Sequence, residues 1–133
     1  MNKKNILILL MVIAITSFTG CTSKDDSTIS EYKKITAAEA KEMMDQNENI
    51  LILDVRTEEE FNSGHIEGAI LLPDYEIADQ AEVVLNDKAA TILVYCRSGQ
   101  RSAGAVKTLN KLGYTNIIDF GGINDWTYEI VSE

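Results

Sequence analysis

Cysteine, proline and histidine are nearly missing from this sequence of 133 residues, with two, one and one respectively. The two thiols, Cys21 and Cys96, give no disulfide framework, and nothing near either resembles metal-ligand spacing. No His, Asp and Glu residues cluster at such spacing either, so neither metal nor cofactor is expected. One proline and eight glycines argue against long disordered tracts. Basic residues are scarce as well: 12 Lys and Arg against 21 Asp and Glu give a net charge of −9. Without a Lys/Arg stripe, so acidic a chain is a poor binder of nucleic acid. That charge also weakly repels anions, though only within a Debye length of about 8–10 Å. Any attraction for an anion must therefore be local. No internal repeat and no apolar run of the roughly 20 residues needed to span a bilayer is present. What remains, 45% hydrophobic and 25% charged, suits one globular domain.

The longest apolar run is Ile6 to Ile15, preceded by the basic stretch Asn2-Lys3-Lys4-Asn5. Together they read as the n- and h-regions of an export signal. The following Thr16-Ser17-Phe18-Thr19-Gly20-Cys21 resembles the lipobox of bacterial lipoproteins, with Phe18 where that family most often has Leu. The resemblance implies a signal peptide over 1–20, lipid on Cys21 and a domain anchored outside the cytoplasm to a bacterial cell membrane. Residues 21–31, rich in Ser, Thr, Asp and Lys, read as a flexible tether, leaving 32–133 as the folded domain. With Cys21 consumed by lipid, Cys96 is an unpaired thiol in an exported protein.

From Tyr32 onward strand and helix periodicities alternate. Tyr32 to Ile35 reads as an edge strand. Thr36 with Glu39 makes a capping box for a helix to about Gln46. Ile50 to Leu53 is a buried strand leading into Asp54-Val55-Arg56, and Thr57 with Glu60 repeats the capping box for a short helix through Phe61. Ala69 to Leu72 is a third strand, Glu76 to Leu85 a helix, and Thr91 to Tyr95 a buried strand. Ser102 to Leu112 reads as a helix closed by Gly113, Asn116 to Phe120 as a strand, and Gly121-Gly122 as the turn into a last helix carrying Trp126. Such alternation predicts an α/β fold whose parallel sheet is covered on both faces, with ligands beyond the carboxyl ends of the strands. Asp54, Arg56 and Cys96 all fall at those ends.

The segment Cys96-Arg97-Ser98-Gly99-Gln100-Arg101 is the most informative in the chain. A loop between a strand and a helix turns successive amides inward, and the helix N-terminus adds positive partial charge. A cysteine there, flanked by two arginines, should have its pKa lowered from about 8.5 into the range of roughly 3.5–7.5. It would be a thiolate at neutral pH. Arg97 and Arg101 are the expected anion binders, Arg101 at the helix start. Ser98, Gly99, Gln100 and Ser102 supply loop amides, and Asp54 with Arg56 reads as a buried ion pair bracing the loop.

Asp54-Val55-Arg56, the stretch Phe61 to Ala69, the loop Cys96 to Ser102, and Gly121-Gly122 with Trp126 together resemble a single-domain rhodanese. The similarity runs from about Tyr32 to Tyr128, with Glu67 where the family often has Pro. It implies a three-layer sandwich around a mostly parallel five-stranded sheet, and a sulfurtransferase. Its Cys96 would take sulfane sulfur from a small donor such as thiosulfate as a persulfide. It would then pass that sulfur to cyanide, sulfite or a thiol, without a cofactor or metal. Phosphatases and arsenate reductases of related fold carry Cys-x5-Arg, whereas the spacing here is Cys-x4-Arg, a smaller cradle better suited to one sulfur atom. A module that holds a persulfide or oxyanion without turnover is the competing class. The lone His65 reads as scaffold, since a preformed thiolate needs no base. Trp126 reads as a core anchor, and Ala103 and Gly104 as small residues that let their helix approach the sheet.

Overall fold

In the computed structural model, which describes residues 32–133, strand and helix alternate in the expected sequence. The leader, Cys21 and the tether of the sequence reading lie outside the described residues. The strands are β1 (Lys33–Lys34), β2 (Leu51–Asp54), β3 (Ala69–Leu71), β4 (Ile92–Cys96) and β5 (Ile117–Gly122); the helices are α1 (Ala37–Gln46), α2 (Glu58–Ser63), α3 (Ile77–Val84) and α4 (Gln100–Lys111). Both predicted capping boxes form: the Thr36 and Thr57 hydroxyls accept the amides of Glu39 and Glu60, whose carboxylates reach back to the cap amides. Two orphan donors are thus satisfied at each helix start.

The sheet order is β1-β5-β4-β2-β3 and every pairing is parallel, where the sequence reading expects a mostly parallel sheet. β4 lies at its centre with all five residues buried, and the alternation of its side chains builds both halves of the core. Ile92, Val94 and Cys96 pack with Leu53, Ile77, Ala105, Val106 and Leu109 beneath α3 and α4. Leu93 and Tyr95 pack on the other face with Ala40 of α1, Phe120 and Trp126. Each fully buried Leu or Ile stabilises the fold by roughly 1.5–3 kcal/mol before ordering costs. Cys96 therefore sits at the carboxyl end of a fully buried central strand.

Several expectations need correction. β1 is two residues long, and the segment from Asp74 begins with a 3-10 turn before α3. α4 starts at Gln100, two residues early, because Gly99 adopts φ +98 and lets the chain turn directly into the helix. The last helix does not form: Gly122 leads into a single 3-10 turn, Ile123–Asp125, and Trp126 is extended. Trp126 is still buried, its indole N–H donating to the Glu129 carbonyl at 3.2 Å. Gly104 does not approach the sheet; it is exposed, and a Cβ there would meet nothing within 4 Å. The close approach belongs instead to Gly122, where a Cβ would lie 2.2 Å from the Arg97 carbonyl oxygen.

Candidate active site

Cys96 ends β4, is 1% exposed, and is the single cysteine among the described residues. The ladder to β5 slips here: Val94 pairs with Asp119, but Cys96 pairs with Gly122. The extra β5 residue is a bulge that re-aims the strand end, with Gly121 at φ +91. The Gly121 amide is held by Asp119 Oδ1 at 2.8 Å. Chain then folds back over Cys96 as the short loop 97–99. Gly99 donates its amide to Cys96 Sγ at 3.0 Å, and the Ser102 Oγ lies 3.7 Å from the same sulfur. Ser102 Oγ also donates to the carbonyls of Gly99, at 3.1 Å, and Gly121, at 3.3 Å. The sulfur therefore faces the open N-terminus of a twelve-residue helix with no side-chain cap of its own, an arrangement that favours an anion.

The electrostatics follow from that cradle. Burial pushes the Cys96 thiol up. The Ser102 amide and hydroxyl and the amides of Gly99 and Ser98 outweigh it, leaving the thiol below its ordinary value. The direction and the part played by the loop amides agree with the sequence reading, whereas the two guanidinium groups expected to assist rank below the loop's own donors. Arg101 is turned away into a bidentate pair with Glu60, Nη1 to Oε2 at 2.7 Å and Nη2 to Oε1 at 2.8 Å. Arg97 is exposed and makes no ion pair among the described residues. It borders a cavity of about 380 Å³ beside the loop, with Arg56, Glu60, Gly64, Asn124 and Ile130. Ser98 and Gln100 are exposed, Gln100 in the first turn of α4. A larger cavity of about 720 Å³ lies between α1 and Trp126 on the other face of the sheet and is not lined by Cys96 or its loop.

Asp54 and Arg56 form a buried, multiply bonded pair: Arg56 Nε and Nη2 donate to Asp54 at 2.7–3.0 Å, and Nη2 also reaches the Gly64 carbonyl at 2.7 Å. The guanidinium lies 5.6 Å from the Tyr95 ring centre. The pair fastens the segment after α2 to the end of β2, beside Tyr95, the residue before Cys96. His65 is buried away from the sulfur, stacked on Phe61 at 3.6 Å and donating Nδ1–H to the Phe61 carbonyl. No group of three His, Cys, Asp or Glu side chains among the described residues is placed to hold a metal ion.

Sequence reasoning missed two contributors. Glu60 was read only as a capping residue, yet it serves the Thr57 cap and Arg101 together. Nothing local reveals a pairing across 41 positions. Asp119 left a signal, a charge inside the apolar run Ile117-Ile118-Asp119-Phe120.

Hydrogen bonding to Arg101, first of all, draws the Glu60 carboxyl from an ordinary 4.5 down to about 2. A depressed folded pKa means the stabilisation is complete above about pH 4.5 and is lost as pH falls through about 2. The two side chains are 24% and 31% exposed, so solvent screening reduces the effect to about 1–2 kcal/mol. Glu60→Gln is expected to lose that much at pH 7 and to flatten the acid limb between about pH 4.5 and 2. Urea unfolding across that range checks it, and parallel wild-type and variant curves would contradict it.

Comparison with known proteins gives a consistent result. A family model described as "Rhodanese-like domain" matches residues 36–129. The thiosulfate sulfurtransferase PspE of Escherichia coli is 36% identical over 73 residues, covering 55% of this chain and 70% of that protein. YrkF of Bacillus subtilis, whose name describes a sulfur carrier, is 36% identical over 108 residues, covering 80% of this chain; the chain spans only 55% of its length. Among solved structures, a rhodanese-related protein from Thermoplasma volcanium superposes with a TM-score of 0.67 at 31% identity, covering 77% of this chain and all of that one.

Proposed function

The chain belongs to the rhodanese-like domain family, whose members include sulfurtransferases, and from that premise we propose that it transfers sulfane sulfur through a persulfide on Cys96. The observation that carries the reading is the sulfur atom buried at the N-terminus of α4, with the Gly99 amide 3.0 Å away and its thiol pKa lowered. In the first half-reaction the Cys96 thiolate attacks the outer sulfur of thiosulfate. The new S–S bond forms as the old one breaks, and sulfite leaves with the electron pair. In the second, cyanide, sulfite or a thiol attacks the terminal sulfur and the thiolate returns, so no oxidant is consumed. The amides of residues 97–102 stabilise charge on the added sulfur. Arg97, at the mouth, attracts the donor anion against the acidic body, while Arg101 holds α2 to α4 through Glu60.

Intact-mass measurement tests this. Treatment with thiosulfate is expected to add one sulfur atom, and addition of cyanide or a thiol to remove it within a catalytic cycle. A persulfide that forms and is never discharged favours the carrier role that the name of YrkF suggests; no adduct at all removes both readings. We further propose, from the pattern of residues 1–21, that the protein is held outside the cytoplasm by lipid on Cys21. Labelling with a lipid precursor, lost in Cys21→Ser, checks that assignment.

A further inference from the structure

Asp119 is wholly buried and forms no ion pair among the described residues. A carboxylate in such a place is costly unless hydrogen bonds hold it. It has two. Oδ1 accepts the Gly121 amide at 2.8 Å, and Oδ2 accepts the hydroxyl of Tyr32, the first described residue, which reaches it from the start of β1. Those partners lead to the reactive loop. The Gly121 carbonyl accepts the Ser102 hydroxyl at 3.3 Å, and that hydroxyl lies 3.7 Å from Cys96 Sγ. Gly121 also packs directly on Gly99, where a Cβ would sit 3.3 Å from its Cα.

We propose that Tyr32 and Asp119 are a positioning pair for the reactive sulfur: Tyr32 orients the carboxylate, the carboxylate fixes the bulged Gly121, and Gly121 aims the Ser102 hydroxyl beside Cys96. This deepens the sulfur-transfer reading and rests on it. An edge strand of two residues would otherwise leave little reason for a half-exposed tyrosine to be tied to a buried acid. The link also makes the junction between the domain and its N-terminal segment part of the site's support.

The test is a double-mutant cycle in the full chain, reading the pH dependence of Cys96 alkylation. The charged and titratable groups around the thiol are Arg97 on its own loop, the Glu60–Arg101 pair joining α2 to α4, the Asp54–Arg56 pair at the end of β2, Asp119 on β5 and Tyr32 just before β1. Tyr32→Phe keeps the ring and removes the hydroxyl. The Ser102 hydroxyl loses its alignment, burial gains on it, and the alkylation midpoint is expected to move up by roughly half a pH unit. Ser102→Ala moves it up too, and the double variant is expected to match Ser102→Ala alone, because Tyr32 acts through Ser102. An unchanged midpoint in Tyr32→Phe, or additive shifts in the double variant, overturns the proposal. Alkylation is read whether or not sulfur is transferred, so failure of the persulfide experiment and failure of this one are distinguishable.

Discussion

Cys96→Ser is expected to yield a folded protein whose sulfur transfer from thiosulfate to cyanide has fallen on the order of 10³-fold or more, to the background rate. Serine fits the space, and the Gly99 amide still has an oxygen to donate to. An alcohol there stays protonated at neutral pH and cannot hold a sulfane sulfur for delivery, so the covalent route is removed rather than slowed. The cradle cannot compensate, because amides that stabilise an anion have none to act on. Stability should change by about 1 kcal/mol at most, since one buried polar atom with a donor replaces another. Thiocyanate release and thermal unfolding, measured on the same preparation, separate lost chemistry from lost fold. Substantial turnover by the serine variant would end the persulfide mechanism.

The second large effect is expected from a methyl group. Gly122 has an ordinary extended backbone, φ −129 and ψ 152, so alanine meets no conformational objection. The obstacle is contact: its Cβ would lie 2.2 Å from the Arg97 oxygen, 2.6 Å from the Arg97 carbonyl carbon and 2.7 Å from the Ser98 Cα. All three are backbone atoms of the reactive loop and cannot swing aside as a side chain would. Gly122→Ala should therefore cost about 3 kcal/mol, at the upper end for overpacking. For a domain of this size that lowers Tm by roughly 10–20 °C. Displacing the loop amides by the better part of an ångström should also cost about 10²-fold in transfer. Gly121→Ala is the control. It has φ +91 and open space around the added atom, so it should cost only about 1 kcal/mol of backbone strain. Equal penalties at the two glycines would mean that contact with the loop is not what requires Gly122.

Much of this was legible because local rules decided it. The Thr36–Glu39 and Thr57–Glu60 spacings place two helix starts, and the apolar run before Cys96 places the sulfur at the end of a buried strand. The Arg101 interaction was not legible, since a loop arginine looks the same whether it awaits an anion or a glutamate 41 residues earlier. Nor was the missing last helix. Gly121 and Gly122 read as a turn, but only contact with residues 97–98 shows that Gly122 stays extended beside the loop, and the Asn124 amide in the 3-10 turn that follows donates to the Arg97 carbonyl. Sequence patterning reports what an element is made of. Which neighbour satisfies its polar groups is a property of the assembled layers.

One geometric consequence of the all-parallel sheet concerns direction. Strands that all run the same way have a starting rim and a finishing rim, and residue 32 enters at the first, level with Ile117, while Cys96 stands at the second, level with Gly122. At about 3.3 Å per residue the two rims are roughly 15 Å apart along the strands. A leash attached through residues 21–31 would hold the molecule by its base. Under the proposed lipid attachment, the tether would enter at the rim opposite the thiol and leave the thiol's own rim free for donors and acceptors.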